Sequence, residues 1–474
     1  MKKIFLNILL VLLAMFTLVA CSEDAPEKTK EEQTAVVTPT VTPDVTETPE
    51  PDKTPVVTPT PTEGEKEYGA TVYNELTTAT SKEARKCFNF FWATANTMQG
   101  KGLGLIPDRW PNNGLASIAS VGYGLTAFPI GVVNGWITYE KAYDRTLTTL
   151  KSMQNLETVE GFYYHFYNYY SGDVAPGSEV SGIDTAIFLC GALFAGQYFG
   201  GEIQEIAQEI YDEVNWPWYV NPKTKQFYMS YDAETGKHSG KWDVYGEQLM
   251  MYFLGAGSKT HPIGVDVYNS FQRIKGTYGG YTHINSWFGS IFTYQFSHAW
   301  IDFRNIVDAD GVNWFDNSVK ATYSSYQYCV DNASKFKTFS ETSWGLTACD
   351  GPDGYNGLYG AAPSGNKTNN AHKTDGTVAL CGAVGSIVFA PEIVVPTIDY
   401  YYTALGGKLF QGYGFVDSYN LENGEWIAED VIGIDKGISL LMIENYRSEF
   451  VWEVFMDCEF IAQAIEVLEF TKTK

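Results

Sequence analysis

The residues best placed to do chemistry in this sequence are carboxylates that open apolar segments. Glu247 stands in "KWDVYGEQLMMYFLGAGSKTHP", boxed by Trp242, Tyr245 and Tyr252, just ahead of a run that reads as buried helix. A carboxyl withdrawn from water holds its proton to higher pH, and a proton held near neutrality can be given to a leaving group. Other stretches repeat the pattern. Glu179 and Asp184 begin "SEVSGIDTAIFLC", with Asp173 shortly before; Asp243 precedes Glu247; Asp375 begins "DGTVAL"; and Asp435 lies in "EDVIGIDKGISLL". An acid at a helix start can also simply satisfy free N–H groups. That role explains Asp184 and Asp375 equally well. It explains Glu247 and Asp435 less well, because their apolar and glycine neighbours would crowd a side chain that only caps.

Other chemistries find little support. His165, His238, His261, His283, His298 and His372 occur singly, without HxxxH or HExxH spacing, so no catalytic metal is expected. The glycines of "GYGL" and "GAVGS" lie in helical context with no preceding strand, so neither a phosphate loop nor a bound cofactor is expected. "SHAWIDFRN", with His298, Trp300, Asp302 and Arg304, suits either contacts to sugar hydroxyls or a satisfied core network. "WGLTACDGPDGYNGLYGAAP", with Trp344, Asp350, Asp353 and Tyr355, is a Gly-Pro loop of the kind that lines sites or covers helix ends. Trp242, Trp287, Trp300 and Trp344 are candidate stacking planes for sugar rings, and Arg304 is a candidate planar donor to ring hydroxyls.

The elements that must position these residues are helical. About twelve helical patterns run from "SKEARKCFNFFWATAN" to "GIDKGISLLMIENYRSEFVWEVF". One kind is amphipathic, as in "EIQEIAQEIYDEV". The other is apolar nearly all round and rich in small residues, as in "TAIFLCGALFAG" and "VALCGAVGSIVF", which implies burial on every side and close helix approach. An inner ring of the second kind wrapped by an outer ring of the first is an all-α (α/α)6 toroid. An open helical solenoid is the rival, weakened by the lack of a fixed-period repeat. "GFYYHFYN" and "KQFYMSYD" read as short hairpins in loops. In a toroid the loops at one end form the cleft, so acids at the starts of inner helices are the ones that reach a substrate.

The chain has 474 residues and a formal charge of −24, with no basic stripe to engage phosphates, which argues against nucleic acid as a partner. Residues 1–20 have the two lysines and apolar run of a secretory signal, and "LVAC" places Cys21 where a bacterial lipoprotein is cleaved and lipidated. The expected arrangement is a lipid-anchored protein of the cell envelope, facing outside the cytoplasm and touching the membrane only through that lipid. Residues 21–68 are rich in Thr, Pro and Glu, cannot bury a core, and carry about a third of the net charge. Residues 69–474 form the folded domain, taken to be a monomer. Cys87, Cys190, Cys329, Cys349, Cys381 and Cys458 lack CxxC spacing and several lie in apolar runs, so they read as buried free thiols.

"EVSGIDTA", "YGEQLMMYFLGAGSKTHP", "QFSHAWIDFRN", "WGLTACDGPDGYNGLYGA", "DGTVALCGAVGSIVFAP", "YGFVDSYN" and "GIDKGISLLMIENYRS" follow one another in an order that resembles glycoside hydrolase family 144, bacterial β-1,2-glucanases on an (α/α)6 fold. The resemblance implies hydrolysis of β-1,2-glucan to sophorose or short sophoro-oligosaccharides by acid/base catalysis, inverting and without metal. It maps the acidic cleft residues to Glu179, Glu247 and Asp435, with Asp173 as a loop acid and Glu247 as proton donor. Asp435, acting through water, is the preferred base. Inversion calls for carboxyls roughly 6.5–9.5 Å apart, or further with a relay water. Two departures stand out. Gly246 occupies a position where an acid is common, and Lys436 follows Asp435 where glutamine is more usual; a lysine there is expected to depress the base's pKa. Exo action, another β-glucan, or a surface glycan-binding protein without catalysis are the alternatives.

Overall fold

A computed structural model describes residues 68–365 and 373–473. The signal segment, Cys21 and nearly all of the spacer lie outside the described residues, as does His372.

Thirteen α-helices occur among the described residues: α1 (Thr78–Thr94), α2 (Ile118–Val133), α3 (Tyr139–Met153), α4 (Gly182–Phe199), α5 (Gly201–Asp212), α6 (Leu249–Gly257), α7 (Val265–Tyr268), α8 (Trp314–Asp331), α9 (Leu380–Val384), α10 (Pro391–Thr403), α11 (Gly433–Ser448), α12 (Phe450–Met456) and α13 (Glu459–Val467). Inner and outer positions alternate along the chain, as the two helix types imply. The outer α5 buries Ile203, Ile206, Ala207, Ile210 and Tyr211, one stripe at 3.6-residue spacing, whereas the inner α4 and α6 are buried on almost every side. By length and composition α4 could cross a membrane, but 78% of it is buried inside this fold. The ring runs α2, α4, α6, a pair of 3-10 turns (Ile291–Tyr294 and Phe296–Ala299), α9 and α11, and closes where α11 packs on α2.

Small residues make this closure possible. A Cβ on Gly191 of α4 would lie 1.9 Å from the carbonyl oxygen of Gly122 in α2, so the two backbones meet at a distance that admits only glycine. Polar links join the weaker inner positions. Ser297 Oγ accepts from Met250 N–H at 3.1 Å, and Gln295 Nε2 donates to Gly382 O and Ser386 Oγ, each at 2.8 Å.

Two inner helices differ from the sequence expectation. "INSWFGSIFTYQFSHAWIDF" forms two 3-10 turns rather than one long helix, and "GTVALCGAVGSIVFA" is helical only over Leu380–Val384. Ser286 Oγ accepts from Gly289 N–H in a local turn, and Ser290 and Gln295 bond to other elements, which diverts the backbone from a continuous helix. The last helical pattern breaks at Glu449, whose φ of 60° ends α11, and α13 follows where none was expected.

Short antiparallel strands lead into most inner helices. Leu115–Ser117 pairs with Phe166–Asn168 before α2, Val180–Ser181 with Ser230–Asp232 before α4, Val378–Ala379 with Ser418–Asn420 before α9, and Val431–Ile432 with Arg109–Trp110 before α11. The "GFYYHFYN" and "KQFYMSYD" segments are strands of this collar, in hairpins as expected. It gathers loops far apart in sequence over the N-terminal ends of the inner ring. The six thiols of the described domain are free and buried.

Candidate active site

Glu247 lies in the turn just before α6 rather than inside the helix. Its carbonyl accepts from Ser297 Oγ at 2.6 Å, and Gln248 Nε2 donates to Val244 O at 2.8 Å, which locks the turn. The residue is only partly exposed. Burial, then the charge of Asp184, push its carboxyl up to about 7 against the pull of its own backbone N–H. Trp242 is buried beside this turn: a Cβ on Gly246 would meet its ring at 3.1 Å and Gln248 Oε1 at 3.0 Å. An acid at position 246 would therefore have to displace the indole or the amide.

Glu179 and Asp184 are joined by a residue that the spacing arguments passed over. His165 Nδ1 is 2.9 Å from Glu179 Oε1, and its Nε2 is 3.7 Å from Asp184 Oδ1. Burial opposes charge on this imidazole, but Asp184, Glu179 and Asp108 together raise it to about 9, so it is a cation at neutral pH. Burial likewise opposes charge on Glu179, but its hydrogen bond to His165 and the imidazolium's charge hold its carboxyl below the usual range. Ser181 is the cap of α4, its Oγ accepting from Asp184 N–H at 3.3 Å and donating to Asp184 Oδ2 at 2.5 Å. Asp184 is thus a first-turn acid whose charge also bears on His165 and Glu247.

Arg109 organises a second cluster that adjoins the first through Asp108. Its Nη1 reaches Asp350 Oδ2 at 3.1 Å and Asp430 Oδ2 at 3.4 Å, and its Nε reaches Asp108 Oδ2 at 3.3 Å. Asn112 Nδ2 donates to both oxygens of Asp430 at 2.9 Å. Asp350, in the hairpin Cys349–Asn356, donates its N–H to Asp417 Oδ2 at 2.6 Å. Asp435, in the first turn of α11, is 5% exposed, and its carboxyl is pushed up to about 6, burial being the largest cause. Lys436 does not govern it. That ammonium turns away to Glu83 Oε1 at 2.9 Å and Phe415 O at 2.5 Å, and its charge is outweighed by burial. The expected depression of the Asp435 pKa is corrected to a rise.

The remaining candidates separate by depth. Tyr355 is 43% exposed, yet burial and the charges of Asp435, Asp417 and Asp108 around its hydroxyl keep it un-ionised well above the usual range. Trp287 presents 40% of its surface, and half-buried Asp243 has its carboxyl raised by burial. Asp173 is exposed and pairs at 3.7 Å with exposed Lys101. Asp375 accepts from Tyr359 OH at 2.6 Å and Thr377 N–H at 2.9 Å, which makes it a turn cap.

Trp300, Trp344 and His298 are fully buried core residues. The two indole N–H groups donate to Thr126 and Thr397, and His298, packed on Phe303 and Phe389, is driven down to about 3 by burial. None of the three offers a face to a sugar. Arg304 binds Asp302 and Glu449. Glu449 follows the C-terminus of α11, roughly 20 Å along that helix from Asp435 at ~1.5 Å per residue, so Arg304 braces the far end of the ring. A surface pocket lined by Trp92, Asn96, Lys141 and Arg145 contains none of the clustered acids.

Sequence reasoning missed Asp108, Arg109, His165 and Asp417. "YGFVDSYN" held Asp417 in plain view, but its role depends on a partner from another loop.

The fold and site define an (α/α)6 toroid with an acid-lined end. Residues 239–459 match the glycoamylase family model, described as "putative glucoamylase". A structure solved under the same description, from Bacteroides uniformis, is 26% identical with a TM-score of 0.76, covering 84% of this chain and 99% of that one. The endo-β-1,2-glucanase of Chitinophaga pinensis, solved with sophorotriose and glucose, is 22% identical with a TM-score of 0.74, covering 84% and 99%. The exo-β-1,2-glucooligosaccharide sophorohydrolase (non-reducing end) of Parabacteroides distasonis is 24% identical over 423 residues, 81% of this chain. The chain spans 57% of the length of that curated relative.

Proposed function

We propose that this chain is a glycoside hydrolase that cleaves β-1,2-glucan to sophorose or short sophoro-oligosaccharides, with Glu247 as proton donor. The observation that carries the reading is Glu247 itself, a carboxyl that burial raises to about 7, whereas Glu179 at the start of a neighbouring inner helix is held below its usual range. Titratable groups driven apart by their surroundings divide into acid and base. Glu247 gives its proton to the glycosidic oxygen as the bond to the anomeric carbon breaks. A water attacks that carbon and loses its proton to a carboxylate, with Asp435 the preferred acceptor, and the anomeric configuration inverts. Tyr355 and Trp287 are exposed aromatic surfaces for sugar rings. The two β-1,2-glucan-active relatives support the substrate class.

The test is incubation of the purified domain with linear β-1,2-glucan, following products and reducing ends, with polarimetry of the fresh product for stereochemistry. Binding without turnover would leave a glycan-binding protein and sink the enzyme reading. Exo action is the second reading, favoured by the exo-acting relative. Sophorose as the sole early product would establish it, whereas a spread of oligosaccharides marks endo cleavage.

The "LVAC" motif and the spacer extend the proposal to place. The domain is held by a lipid on Cys21 outside the cytoplasm, where it meets glucan at a membrane surface. Replacing Cys21 with Ser should release it to the soluble fraction and abolish fatty-acid labelling.

A further inference from the structure

Arg109 is fixed at two of its guanidinium nitrogens and free at the other. Its Nε meets Asp108 Oδ2 at 3.3 Å, and its Nη1 meets Asp350 Oδ2 at 3.1 Å and Asp430 Oδ2 at 3.4 Å, but among the described residues Nη2 has no partner. Nor is Nη2 sealed in the core. The side chain is 26% exposed, and the buried side-chain atoms left without partners among the described residues all belong to other residues. A planar fork held at two nitrogens aims the one that remains. Asp430 is itself held in place by Asn112 Nδ2, at 2.9 Å from both of its oxygens. Asp350 lies directly across its hairpin from Tyr355, so the two side chains share one face of that hairpin, and Tyr355 is 43% exposed. Arg109 pairs with Ile432 in the strand that leads into α11, which sets the whole cluster just ahead of Asp435.

The chemistry of this cluster selects its ligand. Carboxylates on Asp108, Asp350 and Asp430 surround one guanidinium, which disfavours an anion. A sugar hydroxyl is neutral and both gives and takes a hydrogen bond, so it suits a free N–H beside carboxylate oxygens. The flat face of the same ring suits an exposed phenol. We propose that Arg109, Asp350 and Tyr355 form a subsite for one glucose unit of the glucan next to Asp435, in which Arg109 Nη2 donates to a ring hydroxyl, that hydroxyl donates to Asp350, and Tyr355 covers a face of the ring. Asp108 and Asp430 are positioning residues that hold the other two nitrogens. The inference rests on the hydrolase reading for its ligand, but on no assignment of acid or base.

The test is the affinity of the full domain for sophorose and for its monodeoxy analogues, read by NMR titration. In wild type, removal of one particular hydroxyl should weaken binding by about 10-fold. Arg109→Lys keeps the charge but loses the free nitrogen. It should weaken sophorose by a similar factor and bind that one analogue as well as it binds sophorose. Should every analogue lose the same factor in Arg109→Lys as in wild type, no hydroxyl meets Arg109 and the proposal falls. If Arg109→Lys does not fold, Asp350→Asn, which keeps the shape of the side chain, replaces it and should erase the same discrimination. Tyr355→Leu should weaken sophorose several-fold, and unchanged affinity there would also overturn the subsite. A wild type that binds no sophorose overturns it as well. A wild type that shows the full pattern of discrimination but does not cleave β-1,2-glucan would defeat the hydrolase reading alone.

Discussion

Glu247 shows how a single carboxyl acquires a role from its surroundings. If it is the proton donor, Glu247→Gln should lower kcat/KM by roughly 10²–10⁴-fold while leaving glucan binding within a few-fold. The pH dependence has a defined sign. The donor must be protonated, so activity falls as pH rises through about 7. The acceptor must be ionised, so activity falls as pH drops through about 6. A bell-shaped profile is expected, and Glu247→Gln should leave no high-pH limb in whatever activity remains. The same group affects stability. Its folded pKa of about 7 lies above the ordinary 4.5, so the native state binds more protons between those values. Its contribution is fully present below pH 4.5 and is lost as pH rises to about 7. Melting curves across that interval should decline less in Glu247→Gln than in wild type. At His165 the expectation is the reverse of a spectator's: His165→Gln should let the Glu179 carboxyl rise toward its ordinary range, visible by carbon NMR of the labelled carboxylate.

At the scale of elements, two features hold the acids in place. Lys436 and Glu83, with side chains 3% and 0% exposed, join α11 to α1, and Glu83 Oε2 also accepts from Phe415 N–H at 2.8 Å. Removing the cation alone strands a buried carboxylate. Lys436→Met should therefore destabilise the domain by about 3–5 kcal/mol in urea unfolding, and adding Glu83→Leu should recover much of that loss. The Gly122–Gly191 approach of α2 and α4 leaves no room for a methyl group. Gly191→Ala should cost at least about 1–3 kcal/mol, measured by the same unfolding curves. The amphipathic and all-apolar helix types were legible in the sequence because 3.6-residue periodicity is local. The division of the "QFSHAW" segment into 3-10 turns was not, because Gln295 and Ser290 bond to groups remote in sequence.

For the whole molecule, the collar of short strands matters as much as the ring. It brings Arg109 opposite Ile432, places Asp350 over Asp417, and sets His165 between Glu179 and Asp184. The opposite end of the ring carries the Arg304–Glu449 ion pair and none of these acids. Changes there should act on stability without moving the pH profile. Arg304→Met, which frees Glu449 and Asp302, should lower the melting temperature and leave both limbs in place, a contrast that the same titration of kcat/KM reads directly.

The sequence by itself determined the helix types, the burial of the thiols, and the stations of Glu179, Glu247 and Asp435 near the starts of inner segments. These follow from local patterning, since which face of a helix is apolar and which residue opens it are written within a few turns of chain. Tertiary structure alone decided which acids meet, that Lys436 faces Glu83 rather than Asp435, and that Trp300 and Trp344 fill the core. Partners on separate loops are joined by the closing of the ring, and the depth of an aromatic side chain depends on what packs over it. A carboxyl's protonation is set by that same enclosure, so Glu247 and Asp435 are raised only once the ring closes over them.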